Sequence, residues 1–183
     1  MGKAHTAAYK NLPLVFGNDP MIPILHTIAD VNIKAAKDTF KYGGFKNYTD
    51  NWKKVIEDPE IDVIDIVTPN SFHPEIAIAA ANKGKHIYCE KPLANSANES
   101  ESMMKAAEKA KITTLVGFNY LKIPVIEYAK EIIQSGEIGD ITVFKGVFDQ
   151  DFMTDPDVPF SWRMSKKDAG TGTLGDMASH TLS

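Results

Sequence analysis

Short apolar runs and longer amphipathic stretches alternate along the chain up to about residue 120. "PILHTIAD" (23–30) reads as a buried strand ending on the carboxylate of Asp30. "IDVIDIVTP" (61–69), nearly all apolar and β-branched, reads as a strand covered on both sheet faces. "KHIYCE" (85–90) and "ITTLVGFNY" (112–120) are further strands. Between them the spacing predicts helices over 32–43, 49–58, 73–84 and 96–111, with Thr49 or Asp50 as the cap of the second. A short helix over 3–10 precedes them and is expected to end near Pro13. Strands alternating with helices of this length build parallel βαβ units, so the fold class is α/β with a doubly wound, Rossmann-like sheet.

The pattern changes after residue 121. A helix over 124–136 stops at a glycine, and "DITVFKGVFDQ" (140–150) alternates like a long strand. A loop with two prolines follows (152–163), then "DAGTGTLGDMASHTLS". Two domains are expected: residues 1–121 as a dinucleotide-type α/β unit, and residues 122–183 as the start of an α+β substrate domain.

Composition narrows the function classes. The 183 residues carry a formal net charge of −4 with no basic run, which argues against a nucleic-acid surface. No apolar stretch is long enough to span a bilayer. The lone cysteine, Cys89, excludes an internal disulfide and points to a reducing, cytoplasmic setting. Met1-Gly2 with Thr6 fits a glycine-acylation pattern, while "GKAHTAAY" reads as the first turn of a helix whose approach is missing.

Four short stretches carry chemistry. Thr68, Pro69 and Asn70 follow an apolar strand, where ligands of open α/β sheets bind, although Thr-Pro-Asn also makes an ordinary turn. Glu90 and Lys91 end another strand, and Pro92 restricts the lysine to extended geometry. Asp176 and His180 share one face if 174–183 is helical, as a surface pair, metal ligands or a base with its orienting acid. Metal is the weakest of these readings, because nothing in their spacing brings His73 or His86 to His180. Trp162 and Arg163 pair a stacking ring with a fixed cation suited to a phosphate or carboxamide, and equally fit a satellite apolar cluster with a surface arginine.

In order and context these motifs are similar to the Gfo/Idh/MocA oxidoreductases, the family of glucose–fructose oxidoreductase and inositol dehydrogenase. "DVIDIVTPNSFHPEIAIAAANKGKHIYCEKPLA" resembles the family's central segment, followed in family order by "VGFNY", "SGEIGDI", "SWR" and "GTGTLGDMASH". By this resemblance "MGKAHTAAYK" is the middle of a dinucleotide-binding loop, with Gly2 as its third glycine. The first strand is then absent, and the chain is truncated at both ends. Lacking that central strand, the chain by itself is expected to bind cofactor poorly.

The resemblance implies NAD as cofactor, bound by Gly2, Asp30, Thr68, Pro69, Asn70, His73, Glu90, Lys91, Asn119, Trp162 and Arg163. Asp30 would take the adenosine ribose hydroxyls, while Lys34 and Lys37 keep NADP possible. It implies hydride transfer at a hydroxyl carbon of a sugar or cyclitol, with His180 as base, Asp176 assisting and Lys91 stabilising the developing alkoxide. The full-length form is expected to be a homo-oligomer, and the Lys91–Pro92 peptide to be cis. Leu121 and Lys122 stand where the family often has arginine, and the threonines of "GTGTLGD" replace the usual glycine and alanine. A non-catalytic dinucleotide-binding regulator is the competing class; Lys91, Asp176 and His180 together favour the enzyme.

Overall fold

The computed structural model describes residues 1–17 and 21–183. Helix α1 (Gly2–Phe16) leads to strand β1 (Thr27–Ala29), helix α2 (Ile33–Gly43), strand β2 (Asn47–Thr49) and helix α3 (Trp52–Glu57). Strand β3 (Val63–Ile66), helix α4 (His73–Asn82), strand β4 (His86–Cys89), helix α5 (Ala97–Ala110) and strand β5 (Thr114–Val116) follow. All pairings are parallel, as the βαβ alternation requires. They fall into two sheets, β1–β2 and β3–β4–β5, with no ladder between β1 and β3 among the described residues.

The register of β3 against β4 organises the centre. Ile64 pairs with Ile87 and Ile66 with Cys89, and these four are buried against α4 and α5. Small residues on α4 (Ala77, Ala80 and Ala81) let it pack close, and Met103 of α5 completes the core. The opposite face carries Asp65 paired with Tyr88, while Val63 is 53% exposed. The expected strand covered by apolar neighbours on both faces is therefore apolar on one face only.

Several expected elements change. The strand over 23–30 contracts to β1, because only Thr27–Ala29 finds a partner in β2, and Ile24 is 72% exposed. Strand β2 itself was not expected, being too short to show a period. The cap of α3 is Asn51, whose side chain accepts from the Lys53 N–H; Thr49 instead ends β2 and accepts from the Asn51 N–H. Helix α1 continues through Pro13 and stops at Gly17, whose φ of 69° suits glycine.

After helix α6 (Pro124–Ser135), residues 140–150 form no strand. Their apolar alternation is present, but no neighbouring strand among the described residues supplies hydrogen bonds, and Val143 and Val147 are 80% and 72% exposed. Helix α7 (Lys166–Ala169), a π-helical turn (Leu174–Ala178) and helix α8 (Ser179–Leu182) close the chain. The Lys91–Pro92 peptide is cis.

His73, expected to line the dinucleotide, is fully buried at the start of α4 and is not on the wall of the cleft described below. Its Nε2 lies 3.0 Å from the Thr68 carbonyl oxygen and its Nδ1 3.1 Å from that of Pro92. The ring thus ties the loop after β3 to the loop after β4. Replacing it by leucine keeps the bulk but removes the ring N–H that a buried carbonyl accepts from, so His73→Leu should lower unfolding free energy by about 1–3 kcal/mol. Urea unfolding measures this, and an unchanged midpoint would mean the ring ties nothing.

Candidate active site

Parallel strands in register release their loops at the same level. The segments after β3 and β4 therefore emerge together at the carboxyl end of the sheet, beside the first turns of α1. A cleft of about 620 Å³ opens there. Thr68, Asn70, Glu90, Lys91, Asn119, Trp162, Arg163, Asp176 and His180 all line it. Gly2, Asp30, Pro69 and His73 are not on its wall.

The wall is tied across long sequence distances. Lys91 Nζ donates to Asp176 Oδ1 at 2.8 Å and also to the Asp176 carbonyl. Arg163 Nε stands 3.5 Å from Asp176 Oδ2, and its guanidinium lies 4.5 Å over the Trp162 ring. Asn70, 3% exposed, donates through Nδ2 to the Ala169 carbonyl at 3.2 Å. The "TPN" and "EKP" stretches of the sheet are thereby joined to the 160–180 segment.

His180 stands against Tyr120, ring edge to face at 4.7 Å, and Phe148 at 5.2 Å. Burial pushes its pKa below the ordinary histidine value; the Lys91 ammonium adds to this, and Asp176 and Glu90 oppose it. The ring is thus neutral at neutral pH and able to accept a proton. Asp176 and His180 are brought to one cleft, through a π-helical turn rather than a regular α-helix.

A dinucleotide fits this chemistry on an independent observation. Thr68 lines the cleft just past β3, and its buried Oγ1 has no hydrogen-bond partner among the described residues. A hydroxyl in that state costs stability unless a ligand satisfies it. Gly2 opens α1 directly above Val67, where an added Cβ would make ordinary contact at 3.5 Å. Asp30, exposed just past β1, accepts from the Asn32 N–H at 2.8 Å. Asn32 then caps α2, so this carboxylate is held at the strand end.

Among the described residues, His73 and His86 stay apart from His180. His73 is enclosed by carbonyls, and His86 Nδ1 accepts from the Thr113 N–H at 2.9 Å. His26, Asp58 and Glu60 do gather within 4.8 Å, at the opposite end of the strands. There His26 Nδ1 lies 2.9 Å from Thr27 Oγ1 and 3.8 Å from Asp58 Oδ2, and Nε2 lies 3.2 Å from Glu60 Oε2. Cys89 is pushed up to about 12 by burial and then by Glu90 and Asp65, so it remains a core thiol.

The sequence reading missed one group at the cleft. His5 and Tyr9 lie one turn apart on α1 and meet Asp65 of β3 and Glu90. The signal was available: a carboxylate in the middle of an apolar strand, and an imidazole and a phenol on one helix face.

Two family models match the chain. A family model described as oxidoreductase family, NAD-binding Rossmann fold, matches residues 1–118, and one described as GFO/IDH/MocA C-terminal domain matches residues 126–183. Levoglucosan dehydrogenase of Pseudarthrobacter phenanthrenivorans is 46% identical over 182 residues, covering 100% of this chain and 47% of that protein. The scyllo-inositol 2-dehydrogenase (NAD(+)) of Bacillus subtilis is 38% identical over 103 residues, 56% of this chain and 30% of that one. Levoglucosan dehydrogenase solved in complex with NADH and levoglucosan superposes with a TM-score of 0.94 over 100% of this chain and 49% of its own. The chain thus spans about half the length, or less, of these relatives. No helix among the described residues is long and apolar enough to cross a membrane. With residues 1–118 matched by the Rossmann model and residues 126–183 by the C-terminal one, the chain belongs to the Gfo/Idh/MocA oxidoreductase family.

Proposed function

We propose that the protein carrying this chain is an NAD-dependent dehydrogenase acting on a hydroxyl carbon of a sugar or cyclitol. The observation that carries the reading is the convergence of Lys91, Asp176 and a neutral His180 on one cleft whose floor holds the unpartnered Thr68 hydroxyl. Residues 1–121 would hold the dinucleotide and residues 122–183 begin the substrate half. The similarity to levoglucosan dehydrogenase solved in complex with NADH supports the cofactor, and its complexes with levoglucosan or L-sorbose support a carbohydrate substrate. NAD is favoured over NADP because the Asp30 carboxylate would repel a ribose phosphate. The single buried cysteine supports a cytoplasmic setting, and a homo-oligomer is proposed with the family.

Nicotinamide, when bound, supplies the hydride acceptor or donor. Thr68, Asn70 and Asn119, which line the cleft, would orient the dinucleotide, with Gly2 at the N-terminus of α1 and Asp30 at the end of β1 contributing from either side. Glu90, Trp162 and Arg163 complete the wall. Losing hydride from a carbinol carbon requires losing the hydroxyl proton as well. His180 takes that proton on its ring, already neutral because of burial and Lys91. Lys91, with its ammonium held by Asp176, stabilises the oxygen as it becomes anionic. Asp176 anchors both Lys91 and Arg163 and so fixes where the positive charge stands.

The test is NAD reduction by the protein with levoglucosan, L-sorbose and scyllo-inositol, followed by NADH absorbance. Reduction with one of these and a drop of about 10²–10⁴ in kcat for His180→Gln are expected. NADH binding with no turnover on any polyol would favour the non-catalytic regulator instead.

The charge relation gives a second test. The acid limb of the pH–rate profile should lie below the ordinary histidine range, since the base works only when deprotonated. In the His180 titration followed by NMR, Lys91→Met should move the pKa up, because a cation is removed, and Asp176→Asn should move it down. Shifts of the opposite sign would break the assignment.

A further inference from the structure

The cleft wall contains a charged bridge that the proposed reaction does not use. His5 Nδ1 lies 2.9 and 3.1 Å from the two oxygens of Asp65, and Nε2 lies 3.0 Å from Glu90 Oε1. The ring stacks on Tyr88 at 5.3 Å and 23°, and Tyr9 Oη donates to Asp65 Oδ2 at 2.9 Å. The side chains of His5, Asp65 and Glu90 are only 12%, 23% and 10% exposed.

Ionised carboxylates only accept hydrogen bonds, so two donors are needed from one ring. A neutral imidazole has one N–H and would aim its lone pair at the other carboxylate. The geometry therefore locks an extra proton between the three groups. In accord with this, His5 is raised to about 9, through the hydrogen bond to Asp65 first and that to Glu90 second, against the cost of burial. The neighbouring phenols, Tyr9 of α1 and Tyr88 of β4, are both pushed upward by burial and by these carboxylates, so they titrate later.

Glu90 is confined from the other side as well. Its backbone N–H donates to the Ile66 carbonyl at 2.9 Å, and a Cβ on Gly117 would come within 2.8 Å of Oε1. Only glycine leaves room for the carboxylate to lie between β5's exit and His5. The residue after Glu90 is Lys91, and Met1, Ala4, His5 and Ala8 of the α1 segment line the same cleft.

We propose that His5 is a positioning residue: as an imidazolium it pins Glu90 against Gly117 and fixes helix α1 across the ends of β3 and β4, setting the width of the cleft that receives the dinucleotide. This rests on the dinucleotide reading above. Without its extra proton the bridge keeps one arm and repels the other, α1 loses its tie to Glu90, and the cleft loosens. Because the folded value lies above the ordinary 6.5, the bridge's contribution to stability is complete below about 6.5 and is lost as pH rises to about 9.

The experiment is NADH titration by fluorescence between about pH 6 and pH 10 on wild type, His5→Gln and Asp65→Asn, with thermal unfolding alongside. Wild type should lose NADH affinity in a one-proton step near about 9. His5→Gln should bind about tenfold more weakly at neutral pH, with that step abolished, as expected for one lost charge-assisted bond. Asp65→Asn should move the step to lower pH, since the strongest contact holding the proton is gone. Identical pH profiles for wild type and His5→Gln, or lowered melting with unchanged NADH affinity, would overturn the proposal. Failure of the dinucleotide reading shows separately, as wild type binding no NADH at any pH. Imidazole ¹⁵N shifts of the ligand-free protein then decide the clamp. It stands if both His5 nitrogens stay protonated until about pH 9 and the Glu90 carboxyl resonance moves in His5→Gln. It falls if His5 titrates as an ordinary histidine.

Discussion

The in-register parallel pairing of β3 with β4 is the constraint on which the rest of the molecule depends. It sorts side chains by parity: Ile64, Ile66, Ile87 and Cys89 go to the core, Asp65 and Tyr88 to the face under α1. A slip by one residue would exchange the two sets and bury a carboxylate among isoleucines. The same register ends both strands at one level, so that Thr68 and Lys91, distant in sequence, reach a common cleft. His73 then fastens the two emerging loops through their carbonyls. Core and site are thus two consequences of one alignment.

The second half of the cleft is held by charge rather than by a sheet. Residues 140–150 have no ladder, and α6 buries none of its residues. Asp176 bonding to Lys91 and facing Arg163, with Asn70 bonding the Ala169 carbonyl, brings the 160–180 segment onto the strand ends. Side chains 24% and 11% exposed make the Asp176–Lys91 pair less screened than a surface bridge, and its loss would leave Lys91 partly desolvated without a counter-charge.

What was legible in the sequence follows from this division. Strands β3, β4 and β5 and helices α2, α4, α5 and α6 were visible because their periodicity reports local burial directly, although their ends were read a residue or more too long. Strand β2 escaped because three residues, Asn47, Tyr48 and Thr49, hold no period. The strand over 140–150 was over-read because alternation records side-chain pattern, while a strand also requires a partner. Lys91, Asp176 and His180 came to a single cleft. His73 did not, since its burial between carbonyls depends on two loops no local pattern describes. Asp65 was readable only as an anomaly, and its meaning needed His5, sixty residues away.

The two charge groups of the cleft compensate each other across the peptide bond between Glu90 and Lys91. With His5 protonated, the Asp65–His5–Glu90 bridge carries one net negative charge, and Lys91–Asp176–Arg163 carries one net positive charge. His180 feels both: Lys91 disfavours its protonation, and Glu90 and Asp176 favour it. Glu90 is common to both groups: it meets His5 on one side and bears on His180 on the other, so the packing of α1 and the setting of the 176–180 turn meet at one carboxylate.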